Sequence, residues 1–598
     1  MYGLALILIV LTGVPEGGTA SSQESRQVLN NLATELLKIA ALPANTDTGC
    51  AFTNPREGWI FVAGKAIAGE EGRVAIGLDW APEDEVLMAH EHRGPQALEA
   101  MRYLRAGQHR LRVQCSGGAR VENLVVRAVP ELLYAKYGSD PQVTEYGQFG
   151  LAYLQRHVLP HLNCMVGAGD DPDAVFLNEW KRAGKRYLVE VYASPYFEKS
   201  PAEEAFKYWT EKSGLANPVV DGILADEFFR SDDPSFDAIT ESVKRIRASE
   251  QFKGKLFYPY CTSMFGGKTS EAFIGIVLRS GYHFAWERYL PEQPTREAAE
   301  KYLDSQLAQE ARAWQERIPG SVQQMIVCFG HLLSAPPESV NTHPTVDHKY
   351  YMDMQFNILA NHPAFDGLYG VMEYLSSYAD EEYLRWAMRL YRHYCIEGRR
   401  NLLSEAYGYT FAPQHLANPD FEQGVEGWTI QPAETGSITT GRHEGYSWLQ
   451  GRYPQTAVGD TFLLMRRSAR ASNKVSQPIK GLRPGSVYSL KMLTGDYGDL
   501  KAEKSNRQKH AVSIQIDQAA IIPAKCFQHV FANCYSHHLG RFKQEHKYWM
   551  NFHQTVFQPR AETATLTISD WANPAEPGGP VDQQLAFNFL EVQPYFQE

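Results

Sequence analysis

Blocks of apolar residues recur along the middle of the chain with two alternating periods. Short β-branched runs predict strands, and longer stretches with a helical period predict helices between them. The predicted strands cover residues 132–134, 164–166, 187–192, 220–225, 255–260, 283–286, 324–329 and 367–372. Predicted helices include residues 237–249, 295–317 and 380–396. Residues 131–411 are therefore predicted to form a (β/α)8 TIM barrel rather than an open doubly wound sheet, which would carry an early glycine-rich phosphate loop.

A different pattern precedes the barrel. Between residues 25 and 42, leucines and an isoleucine fall near one face of a helix, so an N-terminal helix is predicted within residues 21–45. After Pro43 the period changes to two, and residues 46–130 are predicted to form a β-sandwich. Apolar and polar side chains alternate at residues 59–63, 74–78 and 109–114. The run YLRAGQHRLRV at 103–113 resembles a strand common in carbohydrate-associated sandwiches.

Composition indicates a large, acidic, folded protein. The chain has 598 residues, of which 44% are hydrophobic, so it can bury cores for several domains. Its formal net charge is −11 and basic runs are absent, which argues against a nucleic-acid partner. A short apolar run at 4–11 and small residues at 17–20 predict a signal peptide over residues 1–20. The run is too short for a membrane anchor, so a secreted or periplasmic protein of unknown oligomeric state is expected.

The eight cysteines do not form a dense disulfide framework. Cys164, Cys261 and Cys328 fall inside predicted barrel strands, where a free thiol behaves as a small apolar group. The candidate bridges are Cys50 with Cys115 and Cys526 with Cys534. No pair has C-x-x-C spacing and no metal-ligand pattern is evident, so neither a metal nor another cofactor is expected.

The C-terminal part carries motifs of its own. Residues 418–422 read Asn-Pro-Asp-Phe-Glu, Trp428 follows soon after, and residues 481–488 read GLRPGSVY. These motifs resemble the family 4/9 carbohydrate-binding modules, which begin N-x-D-F-E and carry a G-L-x-P-G-x-x-Y strand. The resemblance implies a β jelly roll over residues 418–598 and a carbohydrate ligand. The sequence departs from the family pattern at residues 501–554, which are rich in His, Lys and aromatic residues.

The stretch VVDGILADEFF at residues 219–229 ends an apolar strand in two adjacent acids, Asp226 and Glu227. In a parallel barrel the active site lies at the carboxyl ends of the strands, and paired carboxylates there can cleave glycosidic bonds. Glu227 is predicted to be the general acid/base, because a neighbouring acid helps a carboxyl stay protonated. Asp226 is predicted to stabilise positive charge in the reaction. Glu287 and Glu373, near the ends of strands six and eight, are rival partners.

The adjacent acids are similar to the end of the fourth strand in barrel hexosaminidases. In those families the Asp orients a substrate acetamido group that acts as the nucleophile, and the Glu is the acid/base. The resemblance would give these roles to Asp226 and Glu227. Residues 221–226 also resemble the chitinase signature D-G-x-D-x-D-x-E, although Leu224 replaces an acid and Glu227 falls one residue early.

Further polar and aromatic residues at predicted strand ends are candidates for binding a sugar by stacking and hydrogen bonding. They are Glu190, Tyr192, Tyr258, Tyr260, Trp286, His331 and Tyr374. No G-x-S-x-G elbow points to a serine hydrolase. The sequence therefore resembles a secreted barrel glycoside hydrolase that acts on a poly- or oligosaccharide. The alternatives are a non-catalytic carbohydrate-binding protein on a barrel scaffold and a substrate-assisted N-acetylhexosaminidase.

Overall fold

The computed structural model describes most of the chain after the predicted signal peptide. The described residues are 26–78, 86–137, 141–146, 149–167, 174–192, 202–211, 214–330, 333, 339–374, 378–452, 458–534 and 547–598. Residues 1–20 and His331 lie outside them. The chain divides into two compact units, one containing Glu35–Ala128 and the other containing Val28–Thr34 and Val129–Glu598.

Two sheets make up the first unit. The strands are Gln27–Val28 (β1), Thr34–Ala41 (β2), Asp47–Asn54 (β3), Gly58–Ala68 (β4), Arg73–Leu78 (β5), Val86–His90 (β6), Gly94–Leu104 (β7), Gly107–Ser116 (β8) and Arg120–Val129 (β9). One sheet has the order β1-β2-β9-β4-β7 and the other β3-β8-β5-β6. Ile60 and Val62 of the first sheet share an apolar core with Val74 and Ile76 of the second. The predicted β-rich character is confirmed, and the extent of a sandwich over 46–130 stays a prediction.

The N-terminal helix predicted within residues 21–45 is wrong for the described part of that stretch. Thr34–Ala41 is a strand that pairs within the first sheet. Ahead of it, Asn30 Oδ1 accepts hydrogen bonds of 2.8 Å from the backbone nitrogens of Leu32 and Ala33. Such a turn competes with helical hydrogen bonding, and the leucine spacing alone does not reveal it.

Eight parallel strands of the second unit close into a barrel, which confirms the predicted architecture. They are Glu131–Tyr137 (β10), Cys164–Gly167 (β11), Arg186–Tyr192 (β12), Gly222–Phe228 (β13), Leu256–Cys261 (β14), Phe284–Arg288 (β15), Met325–Gly330 (β16) and Gly370–Tyr374 (β17). Strands β10 and β17 pair in parallel and close the ring. Every predicted barrel strand overlaps an observed one.

Helices alternate with the barrel strands and extend a short way beyond them. They are Leu151–His157 (α1), Ala174–Arg182 (α2), Ala202–Thr210 (α3), Ser235–Ala248 (α4), Lys268–Arg279 (α5), Arg296–Leu303 (α6), Glu310–Arg317 (α7), His348–Asn361 (α8), Glu381–Leu390 (α9) and Leu403–Ala406 (α10). A π-helical segment, Asp304–Gln309, joins α6 to α7, and another, Tyr391–Ile396, ends α9. Within the described residues, no helix combines the length and apolarity that crossing a bilayer requires.

Alternate residues of the barrel strands point inward and fill the barrel. This interior core includes Leu133, Cys164, Leu188, Leu224, Tyr258, Ala285, Ile326 and Met372. The intervening residues face the helices, as Phe257 does where its ring centroid lies 4.9 Å from that of Trp209 in α3. A residue two positions beyond an interior side chain therefore points into the mouth of the barrel.

The C-terminal part of the second unit contains two further sheets. Its strands are Thr429–Gln431 (β18), Ile438–Arg442 (β19), Thr461–Arg466 (β20), Lys474–Ile479 (β21), Tyr488–Asp496 (β22), Ser513–Asp517 (β23), Ala519–Ile521 (β24), Phe527–Cys534 (β25), Lys547–Pro559 (β26), Ala564–Ser569 (β27) and Gln584–Pro594 (β28). The short helices Tyr446–Leu449 (α11) and Tyr497–Ala502 (α12) lie among them. The smaller sheet has the order β18-β21-β27-β23, and the larger has β19-β20-β28-β22-β26-β24 with β25 beside β26. The jelly-roll assignment stays a prediction.

Both predicted disulfides are wrong, because Cys50, Cys115 and Cys526 carry free thiols. Cys50 lies opposite Leu111, and Cys115 is four residues farther along β8, about 13 Å in an extended strand. Cys526 immediately precedes Phe527–Cys534, so the second pair is separated by about 26 Å. A disulfide needs Cα atoms within about 7 Å.

Candidate active site

The carboxyl end of β13 brings Asp226 into the mouth of the barrel. Leu224 belongs to the interior core, and Asp226 follows it by two residues with only 6% of its surface exposed. Glu227 is exposed instead. The register between β13 and β14 shifts after Ala225, and Glu227 has a φ of 70°, a left-handed conformation that costs energy for a residue with a Cβ. The strand end thus separates the two acids.

Tyr374, the last residue of β17, lies between two carboxylates. Its hydroxyl is 3.0 Å from Glu190 Oε1 and 3.3 Å from Asp226 Oδ2. A phenol has one proton, so at any moment it donates to one of the two acids while remaining close to the other. The barrel strands β12, β13 and β17 therefore bring Glu190, Asp226 and Tyr374 into one cluster.

Glu287 lies near the end of β15 and two residues beyond the interior Ala285. Burial, and after it the nearby charge of Glu227, raise the pKa of Glu287 to about 7, although Arg288 acts in the opposite direction. Desolvation and like charge both disfavour an ionised carboxylate. Glu287 is therefore an acid that holds its proton up to about neutral pH, which is the property a proton donor needs.

Aromatic rings line the same region. The hydroxyls of Tyr260 and Tyr289 lie 2.7 Å apart, and the Tyr260 ring centroid is 4.7 Å from that of Tyr374. Tyr289 and Tyr374 are nearly parallel at 6.3 Å. Tyr289 is not among the residues predicted from the sequence, because it directly follows Arg288, the last residue of β15. Its position two residues after Glu287 is the signal that would have found it.

Two of the residues predicted to stack on a sugar have other positions. Tyr258 is buried in the barrel and its hydroxyl donates to Glu131 Oε2, 2.8 Å away at the amino end of β10. Trp286 has no exposed surface, and the Arg288 guanidinium carbon lies 4.9 Å from its ring centroid. We correct both predictions, because a fully buried ring turned from the barrel mouth cannot stack on a substrate.

Glu373 is also turned away from the mouth. Met372 and Tyr374 belong to the interior core, so the residue between them faces the helices. Burial raises the pKa of the Cys395 thiol, on the π-helical segment that ends α9, and the nearby charge of Glu373 raises it further. Glu373 therefore does not join the acid cluster.

Tyr192 ends β12 opposite Asp226 in the strand register. Its side chain lies outside the described part of the structure, as does all of His331. Among the described residues, no group of three or more His, Cys, Asp or Glu side chains is arranged to hold a metal ion.

No protein-family model and no curated protein matches this chain. Among solved structures, it is similar to a Paenibacillus cycloisomaltooligosaccharide glucanotransferase, with 9% identity, a TM-score of 0.32, and 95% of this chain and 72% of the other covered. A Bacteroides uniformis β-glucuronidase has 11% identity, a TM-score of 0.30, and coverages of 92% and 79%. The carbohydrate-binding module TmCBM61, solved with β-1,4-galactotriose, has 12% identity, a TM-score of 0.17, and coverages of 30% and 97%. Similarities this low carry no conclusion about chemistry.

Proposed function

We propose that this protein is a glycoside hydrolase in which Glu287 is the general acid and Asp226 is the partner carboxylate. The observation that carries the proposal is the position of Glu287 in the barrel mouth, two residues beyond the interior Ala285, where burial and the charge of Glu227 raise its pKa to about 7. A second acid, Asp226, lies in the same barrel mouth and is within hydrogen-bonding distance of Tyr374. Two carboxyl groups in different surroundings supply the two functions that glycosidic cleavage needs.

The proposed reaction begins with transfer of the Glu287 proton to the glycosidic oxygen. As the bond to the leaving group breaks, positive charge develops at the anomeric carbon. Asp226, whose Oδ2 lies 3.3 Å from the Tyr374 hydroxyl, faces that charge as a carboxylate. Water then adds its oxygen to the anomeric carbon and gives a proton back to the pair of acids, which completes the hydrolysis. The half-buried ring of Tyr289 supplies an apolar surface for the sugar beside these groups.

This assignment revises the role expected for Glu227. Its side chain is exposed at the strand end, and its charge acts on Glu287. Glu227 then helps keep the proton on Glu287 by like-charge repulsion. The proposed proton donor is therefore on β15 and not on β13, and Asp226 keeps the stabilising role that the sequence suggested.

The test compares Glu287→Gln, Glu227→Gln and Asp226→Asn on aryl glycosides with good and poor leaving groups. We expect Glu287→Gln to lower kcat by about 10²–10⁴ on poor leaving groups and far less on good ones, because only poor ones need a proton. Asp226→Asn should impair both kinds. Wild-type kcat/KM should fall as the pH rises through about 7, where Glu287 loses its proton.

Glu373→Gln is the matched control, since this acid faces away from the barrel mouth. It should keep the wild-type dependence on the leaving group. If Glu227→Gln shows the leaving-group dependence and Glu287→Gln does not, Glu227 is the proton donor and our assignment is wrong. Inactivity of the wild type on a broad glycoside panel would count against the proposed function itself.

A further inference from the structure

Glu292 connects two loops at the carboxyl face of the barrel by hydrogen bonds. It lies in residues 289–295, the β15 loop, which begins directly after the strand that carries Glu287. Glu292 Oε2 accepts hydrogen bonds of 2.9 Å from the backbone nitrogens of Thr342 and His343, and Oε1 lies 2.6 Å from His348 Nδ1. Thr342 and His343 belong to residues 339–347, the described part of the loop that follows β16 and hereafter the β16 loop.

Residues of the C-terminal region also bind the β16 loop. Three of the bonds run from Asn341 Nδ2 to Glu591 Oε1 at 2.7 Å, from Arg452 Nη1 to the Thr342 carbonyl at 3.2 Å, and from Gln593 Nε2 to the Val346 carbonyl at 2.6 Å. The side chains of Glu591, Arg452 and Asn341 are almost completely buried. Buried bonds of this kind hold a loop more firmly than solvent-exposed ones.

The groups that bind the loop are themselves rigidly held. Arg452 makes two hydrogen bonds to Asp420, at 2.8 and 2.6 Å, and a third to Asn588 at 3.1 Å. A Cβ on Gly459 would lie only 2.4 Å from the Arg452 guanidinium, so glycine makes room for the side chain. Glu591 is paired with Lys491 at 3.3 Å.

We propose that the C-terminal region, residues 418–598, is a positioning element of the active site and that Glu292 is the positioning residue that transmits its effect. The C-terminal region forms hydrogen bonds with the β16 loop, and Glu292 connects that loop to the β15 loop. The β15 loop begins directly after the strand that carries Glu287. This inference rests on the proposed function for its kinetic test. It differs from the role of an independent sugar-binding module, which would leave turnover unchanged when its contacts to the barrel are weakened.

The first experiment is Glu292→Gln in the full chain. Glutamine has the same shape, but its one oxygen can accept from the backbone nitrogens of Thr342 and His343 only if its NH2 group faces His348 in place of the acid oxygen. We expect kcat to fall about tenfold or more while KM stays within about twofold, because a loosened loop misplaces the proton donor without removing it. The alkaline limb of the pH profile should move to lower pH, because a better-hydrated Glu287 loses its proton more easily.

The second experiment weakens the contact from the C-terminal side. Asn341→Ala removes the hydrogen bond to Glu591. It should lower kcat and move the alkaline limb of the pH profile to lower pH, both by less than Glu292→Gln does. Asp570→Asn is the control, because Asp570 is equally buried in the C-terminal sheets but bonds to Asn473 and not to either loop. It should lower thermal stability and leave kcat and the pH profile unchanged.

Hydrogen exchange separates this inference from the proposed function. In both loop variants the amides of Thr342 and His343 should exchange faster than in the wild type, and in Asp570→Asn they should not. If the wild type hydrolyses no glycoside, this exchange pattern still supports the mechanical coupling while the proposed function fails. If the enzyme is active and folded Glu292→Gln and Asn341→Ala both keep wild-type kcat and pH profile, the inference is overturned. If Glu292→Gln does not fold, Asn341→Ala alone decides.

Discussion

At the scale of the residue, the chemistry depends on where a carboxyl group lies rather than on which acids are adjacent in sequence. Glu287 is half-buried near the charge of Glu227, and its pKa is raised to about 7. Asp226 and Glu190 share a tyrosine hydroxyl. In both pairs the two acids are far apart in the sequence, although the adjacent Asp226 and Glu227 marked the end of β13 as part of the candidate site.

The raised pKa of Glu287 predicts a stability change that does not depend on substrate. Glutamate titrates near pH 4.3 in an unfolded chain and this one near pH 7 in the folded protein, so between these values the folded state holds more protons. Stability therefore falls as the pH rises through that window. Glu287→Gln should raise Tm relative to wild type at pH 8 and leave it nearly unchanged at pH 4, as measured by thermal melts.

An exposed acid gives the control for this prediction. Glu300→Gln, on the surface of α6, should show the same small difference from wild type at both pH values. Equal melting temperatures of Glu287→Gln and wild type at pH 8 would show that Glu287 is not destabilised by ionisation in the folded protein.

At the scale of the element, the end of β13 combines a bulge with a left-handed residue. Glu227 has a φ of 70°, which glycine adopts without cost. Glu227→Gly should relieve strain and raise stability by up to about 1 kcal/mol, as judged by chemical denaturation. It should also move the alkaline limb of kcat/KM to lower pH, because Glu287 loses an anionic neighbour.

Glu227→Gln is the matched variant, since it removes the same charge and keeps the strained backbone. The two variants should share the pH shift, and only the glycine variant should gain stability. A gain of stability in both would assign the effect to the charge. An unchanged pH profile in both would show that Glu227 does not act on Glu287.

Elements were predicted well where they obey a local pattern. A buried parallel strand such as Gly222–Phe228 is a continuous apolar run, and eight such runs could be counted from the sequence. The helix predicted within 21–45 is wrong although the leucine spacing fits a helix. The Asn30 side chain accepts hydrogen bonds from nearby backbone nitrogens in a turn, and the spacing does not reveal this turn. The two predicted disulfides failed because strand register places Cys50 opposite Leu111 and not opposite Cys115, and because the extended strand Phe527–Cys534 separates Cys526 from Cys534.

At the scale of the whole second unit, a buried ion pair within the C-terminal sheets contacts the barrel part of the chain. Lys491 of β22 pairs with Glu591 and lies 4.7 Å from the ring centroid of Tyr383 in α9. Asn341, beyond β16, donates to the same Glu591. Separating the two parts would expose unpaired charges and polar groups, so we expect the barrel and the C-terminal sheets to unfold together.

Calorimetry on Lys491→Met tests this expectation. Removing the lysine leaves Glu591 buried without its counter-ion, which should cost about 3–5 kcal/mol at pH 8. Burial raises the pKa of Glu591 and Lys491 lowers it, so without Lys491 the acid is protonated more readily and the cost should shrink toward pH 5. Lys244→Met, at an exposed pair, should change stability by no more than about 0.5 kcal/mol. A separate transition for the C-terminal sheets in the wild type would contradict the coupling.

The sequence by itself determined the eight-stranded barrel, the β-rich flanks and the strand ends where acids gather, because strand periodicity and the polarity of strand ends are local properties. Only the tertiary structure decided which acids meet. Strand parity turned Glu373 and Trp286 away from the mouth, while β15 placed Glu287 near Glu227. Desolvation and charge are sums over neighbours from distant parts of the chain, so the proton donor could be proposed only after those neighbours were in place.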